Sequence, residues 1–116
     1  MKGAIAISVL LFQEGDWWSA QCLEYDITAQ ARTLPDLRYE LGRVLISQMA
    51  VSVELGIEPF EDIGPAPQRF WRMYEGAQIR LEMDELPFRL PTPGAFASLE
   101  PRFRVAKLDA VEARAQ

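Results

Sequence analysis

A chain of 116 residues, 49% of them apolar, has material for one hydrophobic core, and its single cysteine and lack of histidine exclude both an internal disulfide and a zinc site of the usual nitrogen and sulfur ligands. Twelve Lys and Arg against 17 Asp and Glu leave a formal charge of −5, which argues against a free-standing nucleic-acid binder and suits a basic partner. The acidity is concentrated: residues 1–62 hold ten acids against four bases, and the remainder seven against eight.

The first strand is expected over residues 3–12. Ile5, Ile7, Val9 and Leu11 fall on one face and Ala4, Ala6, Ser8, Leu10 and Phe12 on the other, so a strand apolar on both sides belongs in the middle of a sheet. The apolar run is too short to span a bilayer and lacks the pattern of a cleaved leader, which makes a cytoplasmic protein without membrane contact the expectation. Gln13-Glu14-Gly15-Asp16 places a glycine where a hairpin turn needs positive φ. Trp17 to Leu23 and Ile27 to Arg32 alternate with period two and predict the second and third strands, joined by Glu24-Tyr25-Asp26. Trp17 and Trp18 are adjacent, so their rings must take opposite faces.

After Arg32 the period becomes helical. Leu34, Leu37, Leu41, Val44, Leu45, Val51 and Leu55 form one stripe, and a second edge of Ile46, Met49, Ala50 and Val53 exceeds what one sheet face requires. That surplus points to self-association or to cover from residues 67–77. Thr33 is placed to cap the helix by accepting from the Asp36 amide, Pro35 is tolerated in the first turn, and Gly56 followed by Pro59 stops it. On the solvent side, Tyr39 shares a face with Arg43, and Glu40 can pair with Arg43.

Residues 57–66 read as a connection, and Pro67–Gly76 as a short helix whose Phe70, Trp71, Met73 and Tyr74 must dock on this subunit or another. Pro87, Pro91, Pro93 and Pro101 break the next stretch into pieces read as loop, and Arg102 to Leu108 returns to period two as a last strand with Phe103 and Val105 inward. Asp109 to Gln116 is expected as a frayed or helical tail. The fold class is therefore α+β: an antiparallel three-stranded sheet covered by one long helix, with a late fourth strand, in the order β-β-β-α-(α)-β. One domain is expected, with a core over 1–57, a proline-rich connection with a short helix over 58–101 and the final strand over 102–108.

Trp18-Ser19-Ala20-Gln21-Cys22-Leu23-Glu24-Tyr25-Asp26-Ile27-Thr28-Ala29-Gln30-Ala31-Arg32-Thr33-Leu34 resembles the N-terminal domain of HicB-family antitoxins, and the likeness in pattern runs through Gly56, about half the chain. The resemblance implies a reduced RNase H-like core and a non-catalytic module that binds and masks a small basic toxin ribonuclease as part of a symmetric oligomer. Family members commonly continue into a DNA-binding module. Residues 57–116 show no recognition helix, so DNA binding is not expected of this chain.

The contact groups such a module would use are the aromatic Trp17, Trp18, Phe70, Trp71 and Tyr74 with the acids Glu24 and Asp26. The alternative is an orphan metal-dependent nuclease, in which Glu24, Asp26, Asp36 and Glu40 would hold divalent ions that activate water. Against it, the apolar first strand has no acid where an RNase H-like fold would place a central ligand. A third reading makes Pro59 to Leu108 a small-molecule pocket with the tryptophans. Cys22 reads as a small core residue, because no histidine exists to activate it, and no serine has a histidine base or glycine cluster a phosphate-binding pattern. Neither cofactor nor metal is expected.

Overall fold

The computed structural model describes residues 4–77, 79–81, 88–92 and 95–106. Their order is β1 (Ala4–Glu14), β2 (Trp17–Cys22), β3 (Thr28–Ala31), α1 (Leu34–Leu55), α2 (Gln68–Gly76), β4 (Ile79–Leu81), β5 (Phe88–Thr92) and β6 (Ala95–Val105). The class is α+β, with one mixed sheet in the order β3-β2-β1-β6-β4 and β5 beside β6. As its two apolar faces required, β1 lies in the middle.

β1 and β2 form a hairpin closed by the pair Glu14 and Trp17 across Gly15-Asp16, and Gly15 takes φ +60, the positive value that matches a two-residue turn to the twist of its strands. β3 runs antiparallel to β2 from Trp18 opposite Ala31 to Gln21 opposite Thr28. The late strand starts earlier than expected, and it makes the sheet mixed. β6 begins at Ala95 and lies parallel to β1, from Ala4 opposite Ser98 to Leu11 opposite Val105.

The stretch read as loop also holds β4 and β5, which share the outer edge of β6. Its prolines misled for a physical reason. Pro91 sits in β5, an edge strand that needs no amide on its open side. Pro101 falls between the end of β5 pairing at Leu99 and the start of β4 pairing at Phe103, where β6 has no partner strand on that edge. Phe103 is buried and Val105 packs on the core, as their alternation predicted. The tail expected over Asp109–Gln116, and Lys107 and Leu108 of the expected last strand, lie outside the described residues.

α1 roofs one face of β1–β3. Leu37, Leu41, Leu45 and Met49 bury against Val9, Leu11, Ala20, Cys22, Ala29 and Ala31, each worth about 1.5–3 kcal/mol for the larger side chains. Thr33 accepts from the Asp36 amide at 3.2 Å, so the sequence-predicted cap forms. At the far end Gly56 takes φ +70, its amide donates to Val53 and that of Ile57 donates to Ser52, the paired bonds of a Schellman stop. The stripe differs from the expected one at its C-terminal half. Ser52 and Met49 lie inward, whereas Val51 is 42% and Leu55 57% exposed.

Past the helix, the connection is an anchor. Phe60 is fully buried, meets the Tyr25 ring at 5.0 Å and sits at φ +61, a conformation that costs a non-glycine residue about 1–2 kcal/mol. Its amide donates to the Ser52 hydroxyl at 2.9 Å, and that hydroxyl donates to the Gln48 carbonyl at 3.2 Å. Two backbone bonds then strap the segment to the β2–β3 turn, Asp26 N–H to Gly64 and Ala66 N–H to Leu23. Ring burial outweighs the backbone cost. Phe60→Ala is therefore expected to lower stability by about 3–5 kcal/mol, and Ser52→Ala, which orphans a buried amide, by about 1–3 kcal/mol. Urea unfolding checks both, and a change below about 0.5 kcal/mol in either would contradict the anchoring role.

Candidate functional site

The second sheet face is set by the pairs Phe12–Ser19, Glu14–Trp17, Ser19–Gln30 and Gln21–Thr28. α2 lies on this face: Phe70 stacks on Phe12 with centroids 6.1 Å apart and planes at 26°. The helix is held at both ends by its own chain. Trp71 Nε1 donates to the Ala66 carbonyl, the Tyr74 hydroxyl donates to the Arg102 carbonyl, and the Arg104 guanidinium donates to the Tyr74 carbonyl while lying 4.4 Å from its ring. Between α2 and the sheet lies a groove of about 830 Å³, with Phe12, Glu14, Ser19, Gln21, Gln30 and Phe70 among its lining residues.

The sequence-predicted contact residues separate. Trp17 is on the second face, 41% exposed, with the Arg32 guanidinium 4.7 Å from its ring. Trp18 turns to the opposite face and packs on the core. Phe70, Trp71 and Tyr74 are half-buried in contacts within the chain rather than exposed. Only Phe70 lines the groove.

The acids have internal work. Both Glu24 carboxylate oxygens are taken by Ser8, one by its amide at 2.7 Å and one by its hydroxyl at 2.9 Å. Asp26 is exposed but accepts from Gln21 Nε2 at 2.9 Å, Asp36 stands at the α1 N-terminus, and Glu40 pairs with Arg43 at 2.9 Å as its spacing predicted. Among the described residues no three Asp, Glu, Cys or His side chains gather as ligands for a metal ion.

What sequence reasoning missed on the outside of α1 is that Tyr39 completes a line with Ile46 and Val53. Tyr39 is 71%, Ile46 51% and Val53 40% exposed, and their spacing of seven residues puts them in one line along the helix. Gly42 and Met49, both buried, alternate with them at the helix flank. The signal is present in the sequence as the second apolar edge, but Tyr39, sharing a face with Arg43, reads as part of the charged solvent side. α2 does not cover this line, because it packs on the other face of the sheet.

No family model, no curated protein and no solved structure matches the chain. Among the described residues no helix is long and apolar enough to cross a membrane.

Cys22 is buried, and that burial, aided by the Glu24 charge, pushes its thiol from 9.0 up to about 12. In the folded protein, alkylation should therefore run at least about a hundredfold slower than in the unfolded chain. The folded state keeps the thiol proton where the unfolded chain releases it, so the stability tied to it is full below 9.0 and is lost as pH rises toward about 12. Melting temperatures across that alkaline range should fall more steeply for the native protein than for Cys22→Ala. Parallel curves, or equal labelling rates, would contradict the buried neutral thiol.

Proposed function

We propose that this chain is a non-catalytic protein-binding module of the HicB antitoxin type, one that pairs with a second copy of itself through α1 and masks a small basic partner of ribonuclease kind. The observation that carries the reading is the exposed line of Tyr39, Ile46 and Val53. A helix that already buries Leu37, Leu41, Leu45 and Met49 on one side has no structural use for three large apolar groups on another, and exposed stripes of that kind serve contact.

The occupant best matched to the line is a second α1. Apolar residues at seven-residue steps fall on one line of the helix, the repeat by which a second helix can lie along it. The two copies then bury like against like, as a two-fold interface does. The net charge of −5 supports the second part of the reading, since exposed acids such as Glu54, Glu58 and Asp62 favour encounter with a basic protein.

Light scattering should give a dimer at tens of micromolar, converted to monomer by Ile46→Glu with the circular dichroism of the fold retained. A native monomer, or a dimer indifferent to Ile46→Glu, would remove the pairing surface. For the partner, a pull-down with the tagged chain should recover a small basic protein in a complex that weakens with salt and with Glu54→Lys plus Asp62→Lys. A complex indifferent to both, or none at all, would contradict the masking role; Glu24 is unsuited to this test because it holds Ser8.

A further inference from the structure

The groove between the second sheet face and α2 has a use that the protein-binding reading does not supply. We infer that it is a binding site for a small, uncharged, flat heterocycle bearing an N–H beside a carbonyl, the chemistry of nucleobases and related lactams. Its volume of about 830 Å³ is that of a small-molecule site and leaves ample room for one such ring.

The floor carries acceptors in search of donors. Gln21 is 4% exposed, and its Nε2 donates to the Cys22 carbonyl and to Asp26 Oδ1, both at 2.9 Å. Both of those partners can only accept, so the amide cannot be turned over. Its Oε1 therefore faces away from them and has no partner among the described residues, an arrangement costly in a buried amide unless a donor enters. A second amide is oriented by the same logic. Gln30 Nε2 donates to Ser19 Oγ at 3.1 Å, and Ser19 donates in turn to Glu14 Oε1 at 3.3 Å; the carboxylate fixes the direction and leaves Gln30 Oε1 as an acceptor.

The walls select shape and charge. Phe12, Phe70 and Met73 supply apolar surface suited to a flat ring, and Arg69, whose guanidinium lies 4.5 Å from the Phe70 ring, brings donors for a carbonyl. Glu14 and Arg69 balance each other among the lining residues, so the groove offers no net charge to an ion. The chain's −5 works against a phosphate, which favours the free base over a nucleotide or an RNA strand.

Titration of the full-length 15N-labelled protein with uracil, cytosine and hypoxanthine tests this, with uridine monophosphate and acetamide as controls. At least one base should give saturable shifts at Ser19, Gln21, Thr28, Gln30 and Phe70, tighter than the monophosphate and absent with acetamide. Arg69→Ala and Gln21→Met should each weaken that binding about tenfold, the loss expected for one hydrogen bond. Should Gln21→Met fail to fold, Arg69→Ala, an exposed position on α2, decides. No saturable shift with any base, tighter binding of the monophosphate, or unchanged affinity in the folded variants would overturn the inference. So would movement of the same amides on removing residues 107–116 without ligand, since the chain's own end would then be the occupant.

Discussion

The packing of α1 on the core face of β1–β3 is the contact that everything else in the molecule depends on. It buries Leu37, Leu41, Leu45 and Met49 and fixes which face of the sheet stays open. It also fixes how the helix is rotated about its own axis, and that rotation turns Tyr39, Ile46 and Val53 outward. Ser52 and Phe60 lock the arrangement. The hydroxyl that belongs to the inward stripe satisfies the amide of a residue held at positive φ, so the helix end and the strap behind it are placed by one interaction.

From that constraint the two faces of the sheet acquire different characters. One is closed by α1 and is apolar. The other keeps amides, hydroxyls and a carboxylate in its strands and is only partly covered by α2, through Phe12 and Phe70. Glu24 marks the boundary, because its carboxylate takes the Ser8 amide and hydroxyl at the side of the β1–β2 pair. A carboxylate committed to both donors is a structural member rather than a steering charge, which leaves the proposed attraction for a basic partner to the exposed acids at the α1 C-terminal end and the turns after it.

Much of this was legible in local pattern. In the β1–β2–β3 meander β1 is marked by its apolar run and β2 and β3 by alternation, and α1 carries signals at both of its ends, so neighbours in sequence decide their structure. The opposite placement of Trp17 and Trp18 followed from strand geometry alone. β4 and the pairing of β6 on β1 were not legible because they join distant residues, whereas β5, which pairs with β6 locally from Thr92 opposite Ala95, was hidden by prolines that are harmless only given which edges lie open. Phe60 was hidden for a related reason. An aromatic residue between Pro59 and Glu61 in a turn gives no periodic signal, and only the three-dimensional return of the chain shows that it fills the core. The α1 stripe was misdrawn where a polar residue, Ser52, occupies its centre and Val51 its margin. The groove was missed because Gln21 and Gln30 read as the solvent side of half-buried strands.

The pairing proposed for the molecule requires α1 to have two working sides, one inward to the sheet and one outward to a second copy. The most direct measurement is pulsed electron resonance with a spin label on Ser47→Cys, an exposed position beside the outward line, in a protein whose buried Cys22 does not compete for label. Two α1 helices packed about 8–10 Å apart should give an intermolecular distance below about 35 Å. The absence of any intermolecular distance at concentrations of tens of micromolar, or one beyond about 50 Å, would show that the helices do not meet.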